Sequence, residues 1–424
     1  MTTLHFANAR LIDPEAGTDT LGSLTVKGGL ILARDEKAPK GATVVDCGAR
    51  CLAPGIVDWG VKIGEPGERH RESFGSAGQA AAAGGVTTII ARPDTSPAID
   101  TPETLEFVTR RAAEAPVRIR HMAALTKARE GREMTEIGFL RDAGAIAFSD
   151  VFRVSTEAKA ITRAMSYARS LGALVVGHPQ DPGLSSGASA TSGKFASLRG
   201  IPAVSPMAER MGLERDLALV EMTGVRYHAD QITTARALPA LARARAAGLD
   251  VTAGTSIHHL TLNEFDVGDY RTFFKFTPPL RSEPDRLAMV AAVADGTIDV
   301  ISSLHTPADE ESKRLPFEDA AAGAVALETF LPAAMRLFHA GHLDLPSLFR
   351  AMALNPANRL GLPQGRLALK APADLVLFDP DAPFLMDRFK LRSKSKNTPF
   401  DGARMEGKVL ATWVGGMQVF AAEE

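Results

Sequence analysis

From about residue 53 to residue 362 the chain repeatedly sets a short apolar run beside an alanine-rich stretch of good helix formers. The runs are Val86-Thr87-Thr88-Ile89-Ile90, Ala145-Ile146-Ala147-Phe148, Ala173-Leu174-Val175-Val176, Val251-Thr252-Ala253 and Ile298-Asp299-Val300-Ile301. Between them lie Ser73–Ala83, Pro102–Ala113, Ser155–Ser170 and Thr234–Ala247, whose compositions favour helix. Strands that alternate with helices over such a length predict a parallel arrangement, and at this size a (β/α)8 barrel. A doubly wound open sheet is the alternative.

The two ends of the chain read differently. Leu4–Ile12 and Ser23–Val26 alternate with period two and are broken by Asp13-Pro14 and Lys27-Gly28-Gly29. Strand character returns in Ala373–Phe378 and Val409–Val414. Residues 1–52 and 363–424 are therefore expected to form one small β-sandwich domain from both ends, with residues 53–362 as the barrel.

Charge and cysteine usage narrow the class of function. The 48 basic and 50 acidic residues nearly cancel, so a net charge of −2 offers no general attraction to nucleic acid or to an anionic membrane. No apolar run is long enough for a membrane span, and no basic-then-apolar leader opens the sequence. Cys47 and Cys51 are too few for a disulfide framework and suit a reduced compartment, so a cytoplasmic location is expected. Ten histidines raise the question of a metal site.

Several motifs carry a resemblance. Pro54-Gly55-Ile56-Val57-Asp58 is followed by Glu65-Pro66-Gly67 and by Ala80-Ala81-Ala82-Ala83-Gly84-Gly85-Val86-Thr87-Thr88. Further on stand His258-His259-Leu260, Pro278-Pro279-Leu280-Arg281-Ser282-Glu283, Gly296–Ile301 and Ser393–Phe400. In this order, from about residue 50 to 415, they resemble the dihydroorotases of the amidohydrolase superfamily. The resemblance implies a TIM barrel with a small β-sandwich. It also implies a metal pair that polarises a cyclic amide and generates hydroxide near neutral pH.

The positions that would hold that chemistry are changed. The His-x-His pair of the first barrel strand falls on Gly60 and Lys62, and the arginine expected for a substrate carboxylate falls on Gly64. Pro-Asn-Thr reads Pro93-Asp94-Thr95, and the substrate-contacting asparagine before Pro-Pro-Leu-Arg becomes Thr277. A later His-x-x-His reads His228-Ala229-Asp230-Gln231, placing Gln231 at a ligand position. In the last strand the acid/base aspartate becomes Leu304, His305 stays, and the final histidine becomes Ala308. Asp150 and His178 survive as remnant ligand types. Loss of the general base alone removes a contribution of roughly 10²–10⁴-fold.

Lys62 invites two readings. Its ammonium either fills the vacated metal space and pairs with Asp150, or it snorkels outward from the barrel mouth. His258 and His259 are expected to order a loop, and His228 to be a satisfied core or rim histidine. Gly84-Gly85 suits a tight helix-to-strand turn, since no Lys-Ser/Thr follows to make a phosphate loop. Ser302 and Ser303 lack a nucleophile elbow. The five basic residues of Arg388–Lys396 are expected to form a solvated loop.

The resemblance thus leads to a catalytically silent dihydroorotase-like protein of pyrimidine biosynthesis, without a cofactor. Its expected role is that of a structural partner of aspartate carbamoyltransferase, as for known silent members of the family, and a homo-oligomer is expected. The rival reading is a cyclic-amide hydrolase with a reduced zinc site built from Asp150, His178, His305 and Lys62. A third is a small-molecule binding protein.

Overall fold

The computed structural model describes residues 3–423. In chain order its strands are β1 (Thr3–Asp13), β2 (Thr18–Lys27), β3 (Leu30–Arg34), β4 (Thr43–Asp46), β5 (Cys51–Pro54) and β6 (Ile56–Val61). They continue with β7 (Val86–Ala91), β8 (Arg118–His121), β9 (Leu174–Gly177), β10 (Ala190–Thr191), β11 (Ala203–Val204) and β12 (Arg226–Ala229). The last are β13 (Val251–Ser256), β14 (Val300–Ser302), β15 (Leu375–Leu385), β16 (Arg404–Val414) and β17 (Met417–Ala421).

The middle of the chain forms the barrel. β6, β7 and β8 pair in parallel, and so do β9, β12, β13 and β14. Phe148 joins the two groups, bridging Ala123 after β8 on one side and Val175 of β9 on the other. The ring closes where the Lys62 amide donates to the His305 carbonyl at 2.9 Å, while the Ser303 amide donates to Asp58 Oδ1 at 2.8 Å. Eight strand positions result, in the order of a (β/α)8 barrel.

The expected strand Ala145–Phe148 is reduced to this bridge. Gly144 before it and Val151 after it both have positive φ, so the extended backbone is cut short on each side. The helices fall close to expectation, over Phe74–Ala83, Pro102–Ala112, Ala158–Ser170 and Leu238–Ala246. Ser73 starts the first of them through a reciprocal capping box with Ser76. Gly84 ends it, with its N–H on the Ala80 carbonyl at 3.0 Å, and leads directly into β7. That Gly84-Gly85 segment is a turn.

Both ends of the chain share one sheet, ordered β17-β16-β15-β5-β1-β2-β3 with β4 beside β1. Its own core is built around Phe6 packed edge-on against Trp413 at 4.9 Å, with Leu24, Leu52 and Leu375 buried about them. Cys47 and Cys51 are buried here and unbridged. Burial pushes both thiols up to about 12, so they are neutral packing groups. Only Gly55 separates β5 from β6, which ties this sheet to the first barrel strand.

The segment Arg388–Lys396 is solvated on one side only. Arg392 and Lys394 are exposed, but Leu391, Ser393 and Ser395 are buried. Ser393 donates to the buried Glu72, and Ser395 Oγ donates to the Arg71 carbonyl at 2.9 Å. The period-two placement of small and basic residues makes it a strap across the barrel mouth rather than a free loop.

Candidate functional site

The altered positions gather where the barrel strands end on their C-terminal side, the place where this architecture builds sites. Gly60 lies within β6 near its end, while Arg92 follows β7, His178 follows β9 and Asp230 follows β12, and with Phe152 they bound one small cavity. Gly60 sits at φ 77°. A Cβ there would lie 3.9 Å from Asp230 and 4.0 Å from the Arg92 side chain, ordinary contact distances, so only a longer side chain would enter the room beside them.

Arg92 fills that room. Its Nε and Nη2 each donate to Asp94 at 3.2 Å, Nη2 also reaches Thr306 Oγ1 at 3.3 Å, and the guanidinium lies 5.1 Å from the Phe152 ring centre. The residue is only 2% exposed. Burial pushes the Asp94 carboxyl up, but Arg92, Lys62 and Arg129 outweigh it and hold it below its ordinary value. Asp230 has less support. Burial raises it to about 6, against Arg92 and a 3.0 Å hydrogen bond from Gln231 Nε2.

Lys62 takes neither expected place. Its ammonium pairs with Glu68 at 3.0 Å, across the tight turn that Gly64 begins. A Cβ at Gly64 would collide with the Glu68 carbonyl, so that position has no room for an arginine. The expected Lys62–Asp150 pair is absent because Asp150 is already committed. Its Oδ1 accepts the Leu125 and Thr126 amides at 3.1 and 3.0 Å, and its Oδ2 accepts Thr126 Oγ1 at 2.6 Å.

His178 is buried with Phe152 edge-on at 5.0 Å. Burial, reinforced by Arg281, His259 and Arg92, lowers its pKa to about 3, so the ring is neutral. His305 is turned away from this group. Its Nδ1 accepts the Ala326 amide at 3.0 Å, and its Nε2 faces Glu72 Oε2 at 3.4 Å without hydrogen-bond alignment. Leu304 is buried, Gln231 Nε2 donates to Ser302 Oγ at 3.2 Å, and the Ala308 amide donates to Asn397 Oδ1 at 3.1 Å. Outside the inner group, Thr277 joins Phe152, His178, Gln180 and Pro278 around a cavity of about 300 Å³.

Residues 49–237 match the family described as dihydro-orotase-like. A dihydroorotase of Anaplasma phagocytophilum (strain HZ) is 38% identical, covering 99% of this chain and 96% of that protein. The chain belongs to the dihydroorotase family. A dihydroorotase-like protein of Pseudomonas putida is also 38% identical, with 98% of each chain covered. Among solved structures, the L-hydantoinase (dihydropyrimidinase) from Arthrobacter aurescens superposes with a TM-score of 0.90 at 24% identity, covering 100% of this chain and 97% of that one. That likeness speaks for the fold.

The metal pair that membership in the dihydroorotase family implies does not fit this donor set. Gly60 offers no ligand, Lys62 brings a cation, and both oxygens of Asp150 are taken by hydrogen bonds. Among the described residues no group of three or more His, Cys, Asp or Glu side chains is placed to hold a metal ion. The reduced site of Asp150, His178, His305 and Lys62 is not assembled either, since two of its members face Glu72 and Glu68.

Other histidines fit structural roles. His259 links Ser256 at 2.7 Å to the Pro278 carbonyl at 3.0 Å, ordering that loop as expected, whereas His258 stacks on Phe276 at 4.5 Å with neither ring nitrogen bonded. His228 is core, 4.4 Å from Trp59 and 2.8 Å from Thr252 Oγ1. Sequence reasoning missed Arg92, Asp230 and Phe152 as members of the site. The signal for Arg92 was a guanidinium directly after the apolar end of a strand-like run, Ile89-Ile90-Ala91, with an aspartate two residues on.

Proposed function

We propose that this dihydroorotase-family member does not carry out metal-dependent cyclic-amide hydrolysis, and instead serves pyrimidine biosynthesis as a structural partner of aspartate carbamoyltransferase. The observation that carries the first half is Arg92, a guanidinium seated beside Gly60, Asp94 and Asp230 in the space that metal ligands would face. A permanent cation there opposes divalent metal binding and offers no proton acceptor to a water. Leu304 supplies no general base in its stead. The partner role rests on the resemblance to silent family members, which assemble with that enzyme, and a homo-oligomer is part of the same reading.

Purified full-length protein is expected to contain substoichiometric zinc, to leave dihydroorotate unchanged, and to keep its melting temperature in chelator. It is expected to co-elute with aspartate carbamoyltransferase in size-exclusion chromatography at micromolar concentration. Stoichiometric, chelator-sensitive metal with turnover of dihydroorotate would establish the rival hydrolase. A chain that ignores the carbamoyltransferase would remove the partner role.

One observation favours a second reading, ligand binding without turnover. The outer cavity of about 300 Å³ has the size and the mixed apolar and polar lining of a small-molecule site. Thermal-shift screening with and without His178→Phe, which removes the imidazole nitrogens from the wall of that cavity, distinguishes it.

A further inference from the structure

A third cavity, of about 210 Å³, lies between the strap and the loop after β14. Its chemistry is cationic. The two carboxylates that line it are taken by arginines: Asp309 pairs with Arg71 at 2.7 Å, and Glu310 with Arg314 at 2.7 Å. Glu328, the next carboxylate near Lys396, accepts the Arg392 and Ser393 amides.

Three lysines lining the cavity have no carboxylate partner among the described residues. Lys394 Nζ donates to the Arg69 carbonyl at 2.9 Å, and Lys396 Nζ to the Leu391 and Ser393 carbonyls at 2.5 and 2.7 Å. Lys313, only 4% exposed, donates to the Thr272 and Ala321 carbonyls at 3.0 and 2.6 Å. An ammonium has three N–H donors, so Lys394 and Lys396, and Lys313 when protonated, each keep at least one to offer. A buried cation without an anion is unfavourable. Burial, with Lys275 adding to it, lowers the Lys313 pKa to about 7.

The cavity also has aromatic faces. Phe273 and the exposed Phe389 both line it, and the Arg388 guanidinium lies 5.3 and 4.6 Å from their ring centres. Anchorage of the strap through Ser393, Ser395 and Asn397 holds these groups in place before any ligand arrives. Apart from Ala308, none of the altered barrel positions lines this cavity.

We propose that this cavity binds a phosphate ester carried on a planar ring, of the nucleoside monophosphate class, with the phosphate on Lys313, Lys394 and Lys396 and the ring against Phe389. The proposal is independent of whether the barrel mouth is catalytic. Isothermal titration of the full chain with UMP, AMP and inorganic pyrophosphate tests it at low salt, where charge-assisted contacts are strongest. Saturable one-to-one binding of a nucleotide is expected. Lys394→Glu should weaken nucleotide and pyrophosphate together by about tenfold. Phe389→Ala should weaken the nucleotide by about fivefold and leave pyrophosphate unchanged. Both residues are exposed, so neither change threatens the fold. Absence of saturable binding at millimolar nucleotide, or nucleotide binding indifferent to Lys394→Glu or to Phe389→Ala, would overturn it.

Discussion

Arg92 and Asp94 meet through two parallel N–H···O contacts of 3.2 Å, in the part of the barrel where the family's first-strand histidines would have presented ligands to metal. A buried bidentate pair holds its members in fixed geometry, but each depends on the other, because removing one strands a charge. Asp94→Asn is therefore expected to destabilise the protein by about 3 kcal/mol in urea unfolding. Arg92→Met together with Asp94→Leu is expected to recover most of that loss. A single mutant within about 0.5 kcal/mol of the parent would show that the pair is solvated after all.

Asp150 and Lys62 should respond very differently to truncation. Asp150→Ala leaves the buried Leu125 and Thr126 amides without an acceptor, at a cost of about 1–3 kcal/mol for each orphaned donor. Lys62→Met removes a partly buried pair with Glu68 and one of the cations that hold Asp94 low, together worth about 1 kcal/mol. Equal losses in a denaturation series would contradict this division.

Restoring two histidines on the first strand should not restore a metal centre. Gly60→His places a side chain at φ 77°, a strain of about 1–3 kcal/mol, and its ring crowds Arg92. With Asp150 committed elsewhere, the double variant Gly60→His, Lys62→His is expected to be less stable and to bind no stoichiometric zinc. Tight zinc binding in a competition titration would show that the replacement of ligands is shallower than the geometry implies.

Asp58 makes the barrel sensitive to pH. Burial raises its carboxyl to about 7 while the Ser303 amide opposes the shift. The folded protein therefore holds a proton that the unfolded chain has released above about pH 4. This contribution favours folding below that value and is lost as pH rises through about 7. Asp58→Asn, which keeps an acceptor for Ser303, is expected to gain on the parent between pH 5 and pH 8, by at most a few kcal/mol. Buried neutral His178, lowered to about 3, acts in the opposite sense: its contribution is complete above pH 6.5 and fades as pH falls. A pH-independent difference between parent and Asp58→Asn would refute the assignment.

The barrel could be read from the sequence because burial on both faces leaves a mark in the residues themselves, as in Val86–Ile90 and the alanine-rich helices. Ser73 and Gly84 marked helix ends for the same reason, since caps have local chemistry. Gly60, Gly64 and Lys62 could be recognised as replacements, but their new surroundings could not. Which carboxylate Lys62 would find depended on the turn that brings Glu68 back to it. Arg92 was hidden because a side chain leaving the end of a strand has no periodicity, and its partners come from several different elements. His305 kept its identity yet turned towards Glu72, a pairing created by tertiary packing.

One consequence concerns the order of synthesis. Pro54 at the end of β5 pairs with Leu375 of β15, and only Gly55 separates β5 from the first barrel strand. At ribosomal speeds of roughly 5–20 residues per second, the nascent β5 waits on the order of tens of seconds for its neighbour. During that interval it presents an unpaired edge rich in buried-type side chains, Cys51-Leu52-Ala53-Pro54, to whatever is nearby. A chaperone that shields nascent chains is thus expected to find its clearest footing at the junction between sheet and barrel.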